Sequence, residues 1–126
     1  MFMKMDDSKP NLLVVEDNES NYLLLKILLR DHFNVKHAIT GSDALKMVEE
    51  SSFALVLMDI KLPDIDGIEI TKRIKEIAPE LPVIAQSAYI FPEINNKAIE
   101  AGCSCFISKP IKKDILYEAV KKYVRE

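Results

Sequence analysis

The sequence predicts an α/β fold, a doubly wound (βα)5 domain whose five-stranded parallel sheet carries helices on both faces. Three observations lead there. Five short apolar runs alternate with five segments of helical length and composition. Helix start and stop residues stand at most of the junctions. No repeat, low-complexity stretch or linker breaks the alternation, and 126 residues suffice to bury one core without disulfide or metal staples. Parallel neighbours joined through helices imply right-handed crossovers.

"NLLVVE" (11–16) is a short apolar run with adjacent valines and reads as the first, buried strand. Asn18 is a good N-cap for a helix over "ESNYLLLKILLRDH" (19–32). "NVKHAI" (34–39) alternates enough for a second strand at a sheet edge. Thr40 and Asp43 stand at capping-box spacing and open the second helix. "FALVLM" (53–58) is the third strand, and "DGIEITKRIKEIA" (66–78) the third helix, stopped by Pro79. "LPVIAQS" (81–87) is the fourth strand. The short helix from Pro92 to Ala101 ends at Gly102, a C-cap residue. "CFIS" (105–108) is the fifth strand. The last helix, "KDILYEAVKKYV", gathers Ile115, Leu116, Ala119, Val120, Tyr123 and Val124 on one face.

Composition narrows the function classes. Apolar content of 48% and charged content of 29% are those of an ordinary globular domain. A net charge of −3, with Lys and Arg spread along the chain, gives no reason to expect nucleic acid. No apolar run reaches the roughly 20 residues that span a bilayer. "MFMKMDDSKP" breaks its apolar residues with charges, unlike a signal peptide. Residues 1–10 are therefore expected to be a mobile tail, residues 11–126 the domain, and the location cytoplasmic. Cys103 and Cys105 lack the further ligands a structural zinc requires and read as reduced thiols beside a strand entrance.

In such sheets ligands bind beyond the carboxyl ends of the strands, where strand order reverses. The common order 2-1-3-4-5 places the first and third strands side by side at that point. The first strand ends in Glu16-Asp17, the third in Asp59, the fourth in Ser87 and the fifth in Lys109-Pro110. Three carboxylates thus converge, with a hydroxyl and an ammonium across from them. Clustered anions repel where water is partly excluded, and a hard divalent cation such as Mg2+ relieves this. The lysine and the hydroxyl suit phosphoryl transfer, in which the oxygens of the moving group are clamped while an aspartate accepts it.

"LLVVEDN", "LVLMDIKLPDIDG", "VIAQSA" and "AGCSCFISKPI" resemble, in order and spacing, the signature segments of the response-regulator receiver domain of two-component signalling. The resemblance runs from about Asn11 to the C-terminus and implies a flavodoxin-like fold. It implies that Asp59 takes a phosphoryl group from a phosphohistidine of a sensor histidine kinase or a histidine phosphotransfer protein. It implies that Asp17 and Asp59 ligate Mg2+, that Glu16 assists, and that the Lys61 backbone carbonyl completes the protein's share. Lys109 would pair with the acyl phosphate, Ser87 and Phe106 would form the switch couple, and Lys109-Pro110 would be cis. Ser87 stands where Thr is more usual, Phe106 where Tyr is common, and Ser104-Cys105 where acidic residues are frequent.

Other residues read plainly. Asp64 and Asp66 suggest a calcium loop, but Leu62 and Arg73 occupy ligand positions of that motif, so they are turn and N-cap residues. His32, at a helix end, and His37, in the edge strand, are expected to be ordinary surface residues. Tyr89 and Phe91 follow the fourth strand and read either as core aromatics or, from a loop position, as signalling or gating residues, with Tyr89 counted beside the switch couple. Lys61 and Tyr89, each two residues past an active-site residue, are expected to shield the phosphoryl group from water.

The function expected is a phosphorylation-switched module whose face of helix 4, strand 5 and helix 5 engages a downstream protein. The alternative is a Mg2+-dependent phosphohydrolase using Asp59 as nucleophile. Such enzymes place a second aspartate two residues on, where this chain has Lys61. With no output domain after the fifth helix, the reading is of a stand-alone regulator or a module of a hybrid kinase.

Overall fold

The computed structural model describes residues 9–88 and 92–124. Its elements run β1 (Asn11–Val15), α1 (Glu19–Leu29), β2 (Asn34–Ala38), α2 (Gly41–Glu50), β3 (Leu55–Asp59), α3 (Gly67–Ile77), β4 (Val83–Ser87), α4 (Pro92–Ala101), β5 (Cys105–Ser108) and α5 (Lys113–Tyr123). The strands form one sheet in the order 2-1-3-4-5, every pair parallel. The fold is the doubly wound, flavodoxin-like one.

Strand alternation splits the core into two layers. Leu13, Val15, Val56, Met58, Val83 and Ala85 face Ala44 and Val48 of α2, Ile70 and Ile74 of α3, and Ala98 of α4. Leu12, Val14, Leu55, Leu57, Ile84 and Ile107 face Leu25 and Leu29 of α1 and Leu116 and Val120 of α5. Burial on both faces explains why β3 and β4 are buried throughout. β2, at the edge, is fully buried only at Ala38.

Local signals behave as expected at the helix starts. Asn18 Oδ1 accepts from Asn21 N at 2.9 Å, Thr40 Oγ1 from Asp43 N at 3.1 Å, and Asp66 Oδ1 from Ile68 N at 2.7 Å. Gly102 takes φ +116°, a left-handed conformation open to glycine. The Lys109–Pro110 peptide is cis.

Three details differ from expectation. α1 stops at Leu29, because His32 N and Phe33 N both turn back to Leu29 O. β3 runs to Asp59, so the carboxylate belongs to the strand itself and inherits its rigidity. Ile115 is 52% exposed. The α5 stripe centres on Leu116 and Val120, and one helical step turns Ile115 away from it.

Of the segment expected as a tail, residues 1–8 lie outside the described residues. Pro10 O accepts from Asn34 N at 2.9 Å, just ahead of the β1–β2 ladder. Among the described residues no helix is long and apolar enough to cross a membrane. Both cysteines are free thiols. Burial pushes Cys103 up to about 11, so it stays a neutral thiol against Thr71.

Candidate functional site

The sheet order places the ends of β1 and β3 side by side, and the topology thereby assembles the site. The register aligns Val15 with Met58 and Asp59 with Gln86. Glu16 and Asp17 leave β1 next to Asp59. Glu16 is 1% exposed and Asp59 4%, while Asp17 is open to solvent. One carboxylate oxygen from each lies within 4.8 Å of the others. They line a cleft of about 400 Å3 together with Lys61, Ser87 and Lys109.

Lys109 arrives from beyond β5. Its Nζ lies 3.1 Å from Glu16 Oε1 and 3.3 Å from Asp59 Oδ2. One ammonium thus meets two carboxylates of a cluster of three. Asp59 shows the imbalance, since its carboxyl is pushed up to about 6, by burial first and the Glu16 charge next. Lys109 and the Lys61 backbone N–H, which donates to Asp59 Oδ1 at 3.1 Å, work against this rise. An all-oxygen donor set with surplus negative charge fits a hard divalent cation.

The β3–α3 loop is tied down at both ends. Gly67 N donates to Ile60 O at 2.8 Å. A Cβ at Gly67 would collide with the Asp59 carbonyl oxygen, so this approach requires glycine. Asp64 differs from the turn residue expected of it. Its carboxylate accepts from Gly41 N at 2.9 Å, Ser42 N at 3.1 Å and Ser42 Oγ at 3.0 Å, capping α2 from another loop. These bonds hold it well below the usual carboxylate range, at about 2.

Ser87, 3% exposed, ends β4 at the cleft wall. Phe106 on β5 is half-buried against the layer formed by α2, α3 and α4. Tyr89 and Phe91 lie outside the described residues. His32 is exposed as expected. His37 is not an ordinary surface residue. Its Nε2 lies 2.7 Å from Glu16 O and its ring stacks on Tyr22. Gln86, beside Asp59 in register, was also missed from sequence. It is 1% exposed, and its Nε2 has no partner among the described residues. A polar residue at the buried end of an apolar strand was the available signal.

The model of the response regulator receiver domain family matches residues 12–121. This chain belongs to that family. The receiver is 34% identical over 117 residues to the polar-differentiation response regulator DivK of Brucella ovis, covering 90% of this chain and 95% of that one. It is 37% identical over 115 residues to the transcriptional regulatory protein ZraR of Salmonella typhimurium, covering 90% of this chain but only 26% of that protein. It superposes with a TM-score of 0.84 on the receiver domain of the sensor histidine kinase PA1611 of Pseudomonas aeruginosa, solved with magnesium coordinated in the active-site cleft. That pair is 27% identical over 92% of this chain and 98% of the other.

Receiver domains are regulatory phosphoacceptors of two-component systems, phosphorylated on an aspartate, and bind Mg2+ in an acidic pocket. Histidine kinases or phosphotransfer proteins are their partners. Neither the site nor the relatives favour the phosphohydrolase alternative.

Proposed function

We propose that Asp59 is this receiver's phosphoacceptor. The observation that carries the reading is the convergence of Lys109 Nζ and two further acids on a buried strand-end carboxylate. An Asp59 carboxylate oxygen attacks the phosphorus of a phosphohistidine on a sensor kinase or phosphotransfer protein. The new O–P bond forms as the N–P bond breaks, and the imidazole leaves with the electron pair. Glu16, Asp17, Asp59 and the Lys61 carbonyl would hold Mg2+, whose bound charge offsets that of the phosphoryl oxygens. Lys109 exchanges its carboxylate partners for a phosphoryl oxygen.

The expected transmission runs through Ser87 and Phe106, with Tyr89, outside the described residues, as a third switch residue. Drawing the Ser87 hydroxyl inward opens space for Phe106 and reshapes the face of α4, β5 and α5 for a downstream protein. The chemistry expected of the domain itself is at most phosphorylation from small acyl phosphates and loss of the group, with Lys61 at the cleft positioned to slow that loss. The test is incubation with Mg2+ and acetyl phosphate followed by intact-mass measurement. One phosphoryl adduct is expected, absent in Asp59→Ala. An adduct of equal yield in that variant rejects Asp59.

A further inference from the structure

β2 ends at Ala38 because the chain turns away to Thr40, the N-cap of α2. The last rung between β1 and β2 is Glu16 N to Ala38 O at 3.0 Å. A continuing parallel ladder would next supply the Glu16 carbonyl with a backbone donor from β2. The His37 side chain stands in for it, with Nε2 2.7 Å from Glu16 O. A carbonyl only accepts, so Nε2 carries the hydrogen.

The ring is also gripped on one face. Its centroid lies 3.7 Å from that of Tyr22, with the planes 6° apart. Tyr22 is itself fixed to the start of α1, where Tyr22 N donates to Asn18 O at 3.0 Å. Glu16 is consequently held at all four of its polar atoms. Its N and O bind β2 groups, Oε1 meets Lys109, and Oε2 accepts from Asn18 N at 3.3 Å. Only the carbonyl anchor comes from a side chain outside the cleft.

We propose that His37, clamped by Tyr22, is a positioning residue for the divalent-cation site. Its Nε2–H holds the Glu16 carbonyl and so fixes the Glu16–Asp17 corner where β1 turns into α1. The proposal rests on the reading of Glu16, Asp17 and Asp59 as the Mg2+ ligands. It concerns the hydrogen bond, not the bulk of the ring, and that distinction is testable.

Mg2+ affinity, followed by amide chemical shifts during MgCl2 titration, is compared in the native protein, His37→Phe and His37→Gln. Phe keeps a ring against Tyr22 and removes the donor, so its Kd should rise about tenfold, as when an outer-shell partner of a ligand is lost. Gln keeps a donor and should recover most of the affinity. His37→Phe binding as tightly as native, or both variants weakening equally, overturns the proposal. A native measurement stands even if His37→Phe does not fold. Ring 15N shifts of neutral His37 should show the hydrogen on Nε2, shifting with the Mg2+ midpoint, and a hydrogen on Nδ1 instead overturns it. Failure of native protein to bind Mg2+ would strike the metal-site reading itself.

Discussion

Asp59 sits 4% exposed beside the buried Glu16, with Lys109 shared between them. Its carboxyl rises to about 6 from the ordinary 3.8. The consequence for stability follows from linkage. A raised folded pKa means the folded state binds the proton more tightly. The associated stability is fully present below about 4 and is lost as pH climbs through 6. A rise of this size is worth at most about 3 kcal/mol. Asp59→Asn removes this anion, so in chelator-treated protein the variant should be more stable than native near neutrality, with the advantage shrinking towards pH 4. Thermal unfolding across that window checks it. An advantage that grows with acidification would mean that Asp59 is stabilised as an anion.

At the scale of elements, the β3–α3 loop is positioned by α2. Asp64 accepts three hydrogen bonds from the first turn of α2, two from backbone N–H groups at Gly41 and Ser42. Unpaired N–H groups and the helix dipole make that end a favourable place for a carboxylate. Its depressed pKa, about 2, gives the opposite sign to Asp59. The stabilisation is present above the ordinary carboxylate range and is lost as pH falls towards 2. Asp64→Ala should therefore lower the unfolding midpoint at neutral pH and speed hydrogen exchange at Gly41 and Ser42. Native exchange rates at both amides would show that the cap contributes nothing. The Asp66 cap on α3 was readable because it lies two residues from its donor, Ile68. The Asp64 cap was not, because its donors lie 22 and 23 positions away, with α2 and β3 between.

Across the whole molecule, one sheet serves two apolar layers, so neither layer can lose its packing without exposing the strands of the other. Leu57 is 1% exposed in the α1–α5 layer and Ile74 fully buried in the α2–α4 layer. Truncating either to alanine should cost about 2–5 kcal/mol, a large part of the roughly 5–15 kcal/mol that holds a domain of this size. Both variants should unfold in urea in one transition, at a lower midpoint and with the native slope. Two separated transitions in either variant would mean that the layers unfold independently.

Much of this architecture could be read from residue patterns. Runs such as "LLVV" and "FALVLM", set between capped helices, imply ten elements in alternation. An alternating parallel topology then directs Asp17, Asp59, Ser87 and Lys109 to one end of the sheet, since each stands at or just after a strand terminus. These inferences need only periodicity and chain direction, which are local properties. Other features depended on how distant segments meet. Adjacent residues Glu16 and Asp17 are chemically alike, yet one is buried and the other exposed, according to what packs against the end of β1. His37 looked like an edge-strand surface residue until α1 supplied Tyr22 and β1 supplied the Glu16 carbonyl. Ile115 fits the apolar stripe of α5 by spacing but lies outside the width that β4, β5 and α1 cover. Periodicity gives a side chain its direction relative to its own element. Register and the paths of the loops decide what occupies that direction.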